Sequence, residues 1–304
     1  MAGNRIEFAH FGDFDTFDII RSSASMAGLQ DHELPTPIAT GLNTMFYVDT
    51  EIVKGQTYYY IARVWRGSEN FVSSEVLVKA GDELFNLVDL LILANAAVLP
   101  SSNIIDYSAY QRSITRVGNV AIVKSIPPLY DDGWLYFNGS SDYISSEISQ
   151  LTIRDFTFEC FVLPDLSKGS AYGRVIQIGA NNAAGSLLLY RQANSNPATL
   201  TVALGNGSGY NYPIVGTKKL SNTNPNHICL MRKAGYLYLY VDGELDGSSG
   251  NFGSFSISSN RIYICANTIN SEWFSGYFSA IRLTLSARYN EGGFIPPNVK
   301  FPVA

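Results

Sequence analysis

The feature that most restricts this chain is a period of two. Between Asp155 and Val162, Phe156, Phe158, Cys160 and Val162 alternate with Asp155, Thr157 and Glu159. Successive side chains of a strand point to opposite faces, so this is the pattern of a strand with one face on a core. Segments RVIQIG, SLLLY, TLTVALG, RIYIC and SAIRLTL repeat it, each closed by Gly, Asn or Ser, the residues that punctuate strands. No stretch sustains a helical period, and the expected fold class is all-β. Charged residues make up 15% of the chain, beside 26 Gly, 19 Tyr and 17 Phe. That is a strand-and-turn balance, well under the roughly 25% charge usual in soluble proteins.

A chain of 304 residues has room for two domains. The composition breaks at KAGDE, Lys79 to Glu83, which predicts a small sandwich over residues 1–80 and a larger one over 81–304. A net charge of -5 with no basic run argues against nucleic acid, whose affinity rests on clustered Lys and Arg. MAGNRIEFAHFGDFD holds no signal-peptide core, and the most apolar segment, LVDLLILANAAVLP, is broken by Asp89 and Asn95. Neither export nor membrane insertion is expected. Cys160, Cys229 and Cys265 sit among alternating apolar neighbours without C-x-x-C spacing, and His10, His32 and His227 lie far from them in sequence. The cysteines read as small core residues, and no local motif suits a disulfide framework or zinc. No cofactor is expected; a structural calcium near Asp132, Asp142 or Asp242 stays open.

Two blocks carry family resemblances. In the first, Asp49, Thr50, Gly55, Tyr58, Tyr60, Ala62 and Val64, followed by Ser73 and Ser74, resemble the second half of a fibronectin type III domain. The expected early tryptophan is absent. The resemblance places Tyr58 as the corner tyrosine that caps upstream backbone and implies a spacer or docking module. In the second block, LYFNGSSDYI, DFTFECFVLP, HICLMRKAGYLYLYVDGELDGS and FSGYFSAIRLTLSARYNEGGFIPPNVKFP resemble the concanavalin A-like, or laminin G-like, jelly rolls of bacteriophage tail and virion proteins. Gly276, Ile281, Arg282, Thr284, Ala287, Arg288, Tyr289, Phe294, Pro296, Pro297, Phe301 and Pro302 fill that group's closing pattern. Asp106, Ser108 and GNVAI at Gly118 to Ile122 match its opening.

Jelly-roll glucanases place acids at E-x-D-x-E, so Glu244 and Asp246 need weighing; the third position here is Ser248. Asp242-Gly243 reads as a type I′ hairpin turn. The two carboxylates then begin the return strand on one face, roughly 6.7 Å apart, where solvent keeps their pKa values ordinary and neither is poised as a proton donor. GNGSG at Gly205 to Gly209 has no helix after it and no Lys-Ser/Thr, so it is a loop rather than a phosphate cradle. His227, in HICLMRK, reads as a core or edge histidine. No enzyme is expected.

What remains is aromatic. Tyr236, Tyr238 and Tyr240 form a row on one strand face, able to stack sugars or to pack beneath a covering loop, the preferred reading since aromatic pairs stabilise sheets. Tyr210 and Tyr212, among turn residues, and Trp273, before the FSG motif, have little local structure to bury them and are the foremost contact candidates. The resemblance implies a non-enzymatic virion component, a tail fibre, tail appendage or head decoration. Its partners would be other virion proteins, met through the N-terminal domain, and a host-surface polysaccharide, and it would be oligomeric in the particle. The alternative is a glycan-binding or glycan-cleaving accessory protein of a bacterium.

Overall fold

The computed structural model describes residues 4–8, 12–52, 57–79, 81–82, 84–95, 98–124, 133–192, 198–267, 271–297 and 301–303. His10, Gly55, Ala80, Glu83 and Asp132 lie outside them. The chain divides into two compact units, Met1–Glu83 with Pro302–Ala304, and Leu84–Phe301. Among the described residues, apart from two single turns of 3-10 helix, every regular element is a strand and every pairing is antiparallel. The chain is all-β.

The first unit holds β1 (Asn4–Glu7), β2 (Thr16–Ser22), β3 (Ala39–Leu42), β4 (Phe46–Asp49), β5 (Thr57–Arg66), β6 (Glu69–Val72) and β7 (Val76–Lys79). β1 pairs with β4, and β3-β2-β5-β6 form a second sheet, in which β7 takes the other half of β5's edge. Ile6, Ile19, Tyr58, Tyr60 and Ala62 pack together as a core. Asp49 is buried, and a carboxylate there needs charged or hydrogen-bonded partners. Arg21 Nη1 supplies them at 3.0 and 2.8 Å, and the Tyr60 hydroxyl donates at 2.7 Å.

The second unit holds β8 (Val88–Ile92), β9 (Ile114–Val117), β10 (Ala121–Val123), β11 (Trp134–Asn138), β12 (Tyr143–Glu147), β13 (Phe156–Pro164), β14 (Arg174–Ile178), β15 (Leu187–Gln192), β16 (Thr199–Gly205), β17 (Tyr210–Val215), β18 (Asn226–Lys233), β19 (Tyr236–Val241), β20 (Glu244–Asn251), β21 (Arg261–Ile264) and β22 (Ser275–Thr284). One sheet runs β10-β11-β22-β13-β18-β19-β20, with β8 on the far half of β22. The other runs β17-β16-β15-β14-β21-β12-β9. Their facing side chains make one apolar layer, which includes Phe156, Phe158, Val162, Cys160 and Cys265, while Cys229 packs on the outer face of the first sheet. All three cysteines are free and buried.

β13 departs from the sequence reading. All nine of its residues are buried, Thr157 and Glu159 included. Their face is covered by the chain after β22, where Tyr289 and Phe294 stack 3.6 Å apart and Phe301 lies under the Arg282 guanidinium at 3.8 Å. The closing pattern thus acts as a second layer over the sheet. It brings Glu159 its partners: Arg282 Nε and Nη2 at 3.0 and 2.8 Å, the Tyr289 hydroxyl at 2.7 Å and His227 Nε2 at 3.1 Å. Burial alone would raise the Glu159 carboxyl, but the Arg282 charge, the His227 hydrogen bond and charge, and Arg288 hold it well below the usual carboxylate range. His227 is a core histidine, its ring 4.9 Å from Phe161 and 5.7 Å from Phe294.

Candidate functional site

The outer face of the second sheet carries the candidate site. Ile176, Leu189, Leu200, Val202 and Ile214 point into the core, so the alternate residues of β14 to β17 point away from it. Between Val202 and Leu204 the register with β17 shifts, with Ile214 opposite the first and Asn211 opposite the second. Two residues of β17, Tyr212 and Pro213, thus stand opposite the single Ala203 of β16, a bulge. It turns Tyr210 and Tyr212 outward while Ile214 stays in the core.

Those rings wall a cleft of about 500 Å³, whose other sides are Tyr172, Arg174, Tyr190 and Glu272 and whose floor includes Leu188 and Ala203. Tyr172 meets Tyr190 edge to face at 6.0 Å, and Tyr210 stands 6.4 Å from Tyr212. Tyr190 is mostly buried, whereas Tyr172 and Tyr212 are 42% and 55% exposed. The site therefore offers two open rings beside one fixed ring. Burial pushes the Tyr190 hydroxyl up to about 12, so it remains a protonated donor at neutral pH.

Arg174 lies beneath the rings, its guanidinium 5.1 Å from the Tyr190 centroid. Its Nη2 meets Glu272 Oε2 at 2.5 Å, Nη1 donates to the Tyr172 carbonyl at 3.0 Å, and Nε donates to Gln177 Oε1 at 3.3 Å. Burial lowers the Arg174 pKa, and the charge of Glu272 works against that fall. Asn267 Nδ2 also donates to Glu272 Oε2, at 2.7 Å. Arg174 is thus a strut for two walls, with no free charge to offer.

The loop bearing Tyr172 is held from below by Arg191. Its guanidinium donates to the carbonyls of Asp165 at 3.3 Å, Ser170 at 3.2 Å and Lys168. Ser170 and Trp273 tie this loop to the chain entering β22, with Ser170 N to Trp273 O at 2.9 Å and Trp273 N to Ser170 Oγ at 3.0 Å. Trp273 packs its ring 6.0 Å from Tyr143, which lies 6.3 Å from Tyr263.

The structure brings three of the sequence candidates to this face and sends three elsewhere. Tyr210 and Tyr212 belong to strand β17, not to a loop. Tyr210 is partly tied down, its hydroxyl accepting from Asn182 N at 2.9 Å. Trp273 lies in a loop, half-buried. Tyr236, Tyr238 and Tyr240 lie on β19 of the opposite sheet. Tyr240 is buried beneath Phe294 and its hydroxyl donates to the carbonyls of Asn290 and Glu291 at 3.2 and 3.1 Å, which is the packing role. Tyr172, Arg174, Tyr190 and Glu272 had no local signal in the sequence.

The Asp242-Gly243 turn has φ of 52° and 75°, as a type I′ hairpin requires. Glu244 is exposed and pairs with Lys218. Asp246 departs from the expected solvated return, because a register shift between Leu239 and Tyr240, which pair with Gly247 and Leu245, places it in a bulge. There its Oδ1 accepts from Thr217 N at 2.8 Å and Lys218 N at 2.7 Å. Asp142 likewise accepts from the backbone N–H groups of Asn119 and Asn138, and Asp242 from that of His227. Among the described residues no three of His, Cys, Asp and Glu converge as a metal site.

Residues 138–289, half of the chain, match the concanavalin A-like lectin/glucanases superfamily. The chain belongs to this superfamily. No curated protein matches the sequence. Domain 4 of AbnA, an extracellular arabinanase from Geobacillus stearothermophilus, solved with arabinotriose, is similar in fold at a TM-score of 0.50 and 14% identity, over 66% of this chain and 94% of that one. The binding domain of botulinum neurotoxin serotype D gives 0.52 and 14%, over 69% and 51%. That of neurotoxin DC, solved with SialylT, gives 0.51 and 11%, over 68% and 50%. The chain spans about half the length of these neurotoxin binding domains.

Proposed function

We propose that this protein is a non-enzymatic virion component of a bacteriophage whose jelly roll holds a host-surface glycan in the tyrosine cleft of its second sheet. One observation carries the reading: Tyr172, Tyr190 and Tyr212 surround a cleft whose cation is already engaged by Glu272. Sugar rings present apolar C–H faces and hydroxyl rims, and tyrosine offers both a face to stack on and a hydroxyl to bond. An anionic ligand would instead call for an unengaged Arg or Lys. Two proteins of similar fold were solved with bound saccharide or SialylT, which is consistent with this use of the fold.

Binding without hydrolysis is favoured by the carboxylates. Glycoside cleavage ordinarily needs an acid and a second carboxylate flanking the bond, and among the described residues Glu272 is the one carboxylate lining the cleft. Placement in a virion rests on the closing pattern from Gly276 to Pro302. In the N-terminal unit, a two-stranded sheet faces a larger one around Tyr58 and Tyr60. This supports a fibronectin type III-like module that docks on other virion proteins.

Purified protein should be retained on surface polysaccharide extracted from the host. Tyr190→Ala with Tyr212→Ala should weaken retention about tenfold, since each ring contributes ~0.5–1.5 kcal/mol, and should do so equally at low and high salt. Retention that is unchanged in this variant, or that vanishes in salt, defeats the cleft reading. Labelling of the protein in imaged particles tests the virion assignment.

A further inference from the structure

We propose that Glu272 is the specificity residue of the cleft: its unused oxygen accepts a hydroxyl of a neutral sugar, and its charge turns away sugars that carry a carboxylate. The inference rests on the cleft's being a glycan site. Glu272 lines the cleft with 29% of its side chain exposed. Both donors that reach its carboxylate, Arg174 Nη2 at 2.5 Å and Asn267 Nδ2 at 2.7 Å, end on Oε2. Those donors belong to side chains that are 4% and 0% exposed, so Oε2 is the inner oxygen. Among the described residues no group donates to Oε1, which is therefore the end of the carboxylate that meets the cleft. An arginine and a carboxylate that serve only each other commonly pair through two parallel bonds. Here Nη1 and Nε of Arg174 go instead to the Tyr172 carbonyl and to Gln177.

The carboxylate is also fixed in direction. Asn267 is clamped by its neighbour, Oδ1 accepting from Ser271 N at 2.8 Å and Nδ2 donating to Ser271 Oγ at 2.9 Å. The Glu272 backbone is pinned as Arg174 N donates to its carbonyl at 2.9 Å. Its φ is 57°, a left-handed conformation that costs glutamate more than glycine or asparagine and that concentrates at functional sites. An ionised oxygen held this way accepts from a hydroxyl and offers nothing to an acceptor. The one charge that offsets it, Arg174, lies buried beneath the rings, so an acidic sugar entering the cleft meets Glu272 first. The ligand class that suits such a cleft is a neutral glycan, read by stacking on the tyrosines and by one hydroxyl donated to Glu272.

The probes are oligosaccharides cut from the surface polysaccharide that retains the wild-type protein, and the same fragments with their primary hydroxyls oxidised to carboxylates, each titrated calorimetrically. The parent fragments should be neutral, and oxidation should weaken wild-type binding about tenfold. In Glu272→Gln the amide oxygen faces Arg174 and Asn267, which both donate, and the NH2 takes the place of Oε1. This variant should bind the parent about tenfold more weakly, having lost an ionic acceptor. It should also erase the penalty on the oxidised form, because an NH2 bonds a carboxylate where Glu272 repels one. Should it melt early, Glu272→Asp keeps the charge near Arg174 but draws the oxygen back by one methylene, and parent affinity should again fall about tenfold. Parent fragments that are acidic, equal wild-type affinity for both forms, or a parent-to-oxidised ratio unchanged in Glu272→Gln would overturn the specificity role. The cleft reading stands in each case if Tyr190→Ala with Tyr212→Ala weakens parent binding. If that double variant binds the parent as the wild type does, both readings fall.

Discussion

Replacing Glu159 by Gln probes the link between the closing motif and the sheet it covers. Glu159 is fully buried and faces the nearly buried Arg282, with Arg288 Nε also 3.8 Å away. Glutamine preserves shape but removes the charge and turns an NH2 toward groups that donate. The result is a buried guanidinium without its counter-charge, which costs about 3–5 kcal/mol. For a domain of this size, roughly 2–4 °C of melting temperature per kcal/mol gives a fall of about 6–20 °C, readable by calorimetry at neutral pH. Replacing Glu159 by Leu and Arg282 by Met together should recover part of the loss, because removing both charges leaves neither stranded. Acid gives an independent arm. The folded-state pKa of Glu159 is depressed, so its contribution is fully present above the unfolded value near ~4.3 and fades as pH falls below it. The gap between wild type and Glu159→Gln should therefore narrow on acidification from about pH 4. A shift under ~2 °C at pH 7, or a gap that widens in acid, would refute the reasoning.

Arg191→Met should destabilise by about 1–3 kcal/mol, speed hydrogen exchange over residues 165–173 and weaken glycan retention, since three carbonyls lose their donor; unchanged exchange there would show that Arg191 does not hold the loop. Asp246→Ala should destabilise by about 1–3 kcal/mol, because two backbone N–H groups lose a charged acceptor, whereas Glu244→Gln should leave the melting temperature where it is. The opposite order would overturn the account of that hairpin. Residues 84–301 produced alone should melt in one cooperative transition, and aggregation of that fragment would show that the unit depends on the rest of the chain.

Period-two patterning and turn chemistry made the strands legible, and Asp242-Gly243 was legible because few residues adopt positive φ in succession. β13 was misread on one face because the cover over Thr157 and Glu159 comes from residues more than 120 positions later, beyond any local pattern. Tyr210 and Tyr212 stood out in GNGSGYNYPIVG, yet that stretch is rich in Gly, Asn and Pro, and its strand pairing was hidden. Pro213 is tolerated because β17 is an edge strand. Tyr190 looked like any strand aromatic in SLLLYRQ; only the fold brings it beside Arg174 and a glutamate 98 positions further on. No single segment carries the cleft, which is why its polar half escaped notice.

The central claim is that the tyrosine cleft of the second sheet binds glycan, and the most direct measurement is an NMR titration of protein carrying 13C-labelled tyrosine rings with fragments of the host polysaccharide. Ring signals of Tyr172, Tyr190 and Tyr212 should shift saturably while those of Tyr236 and Tyr240 stay fixed. Shifts confined to Tyr236, Tyr238 and Tyr240, or no shift at any ring from a polysaccharide that retains the protein, would contradict it.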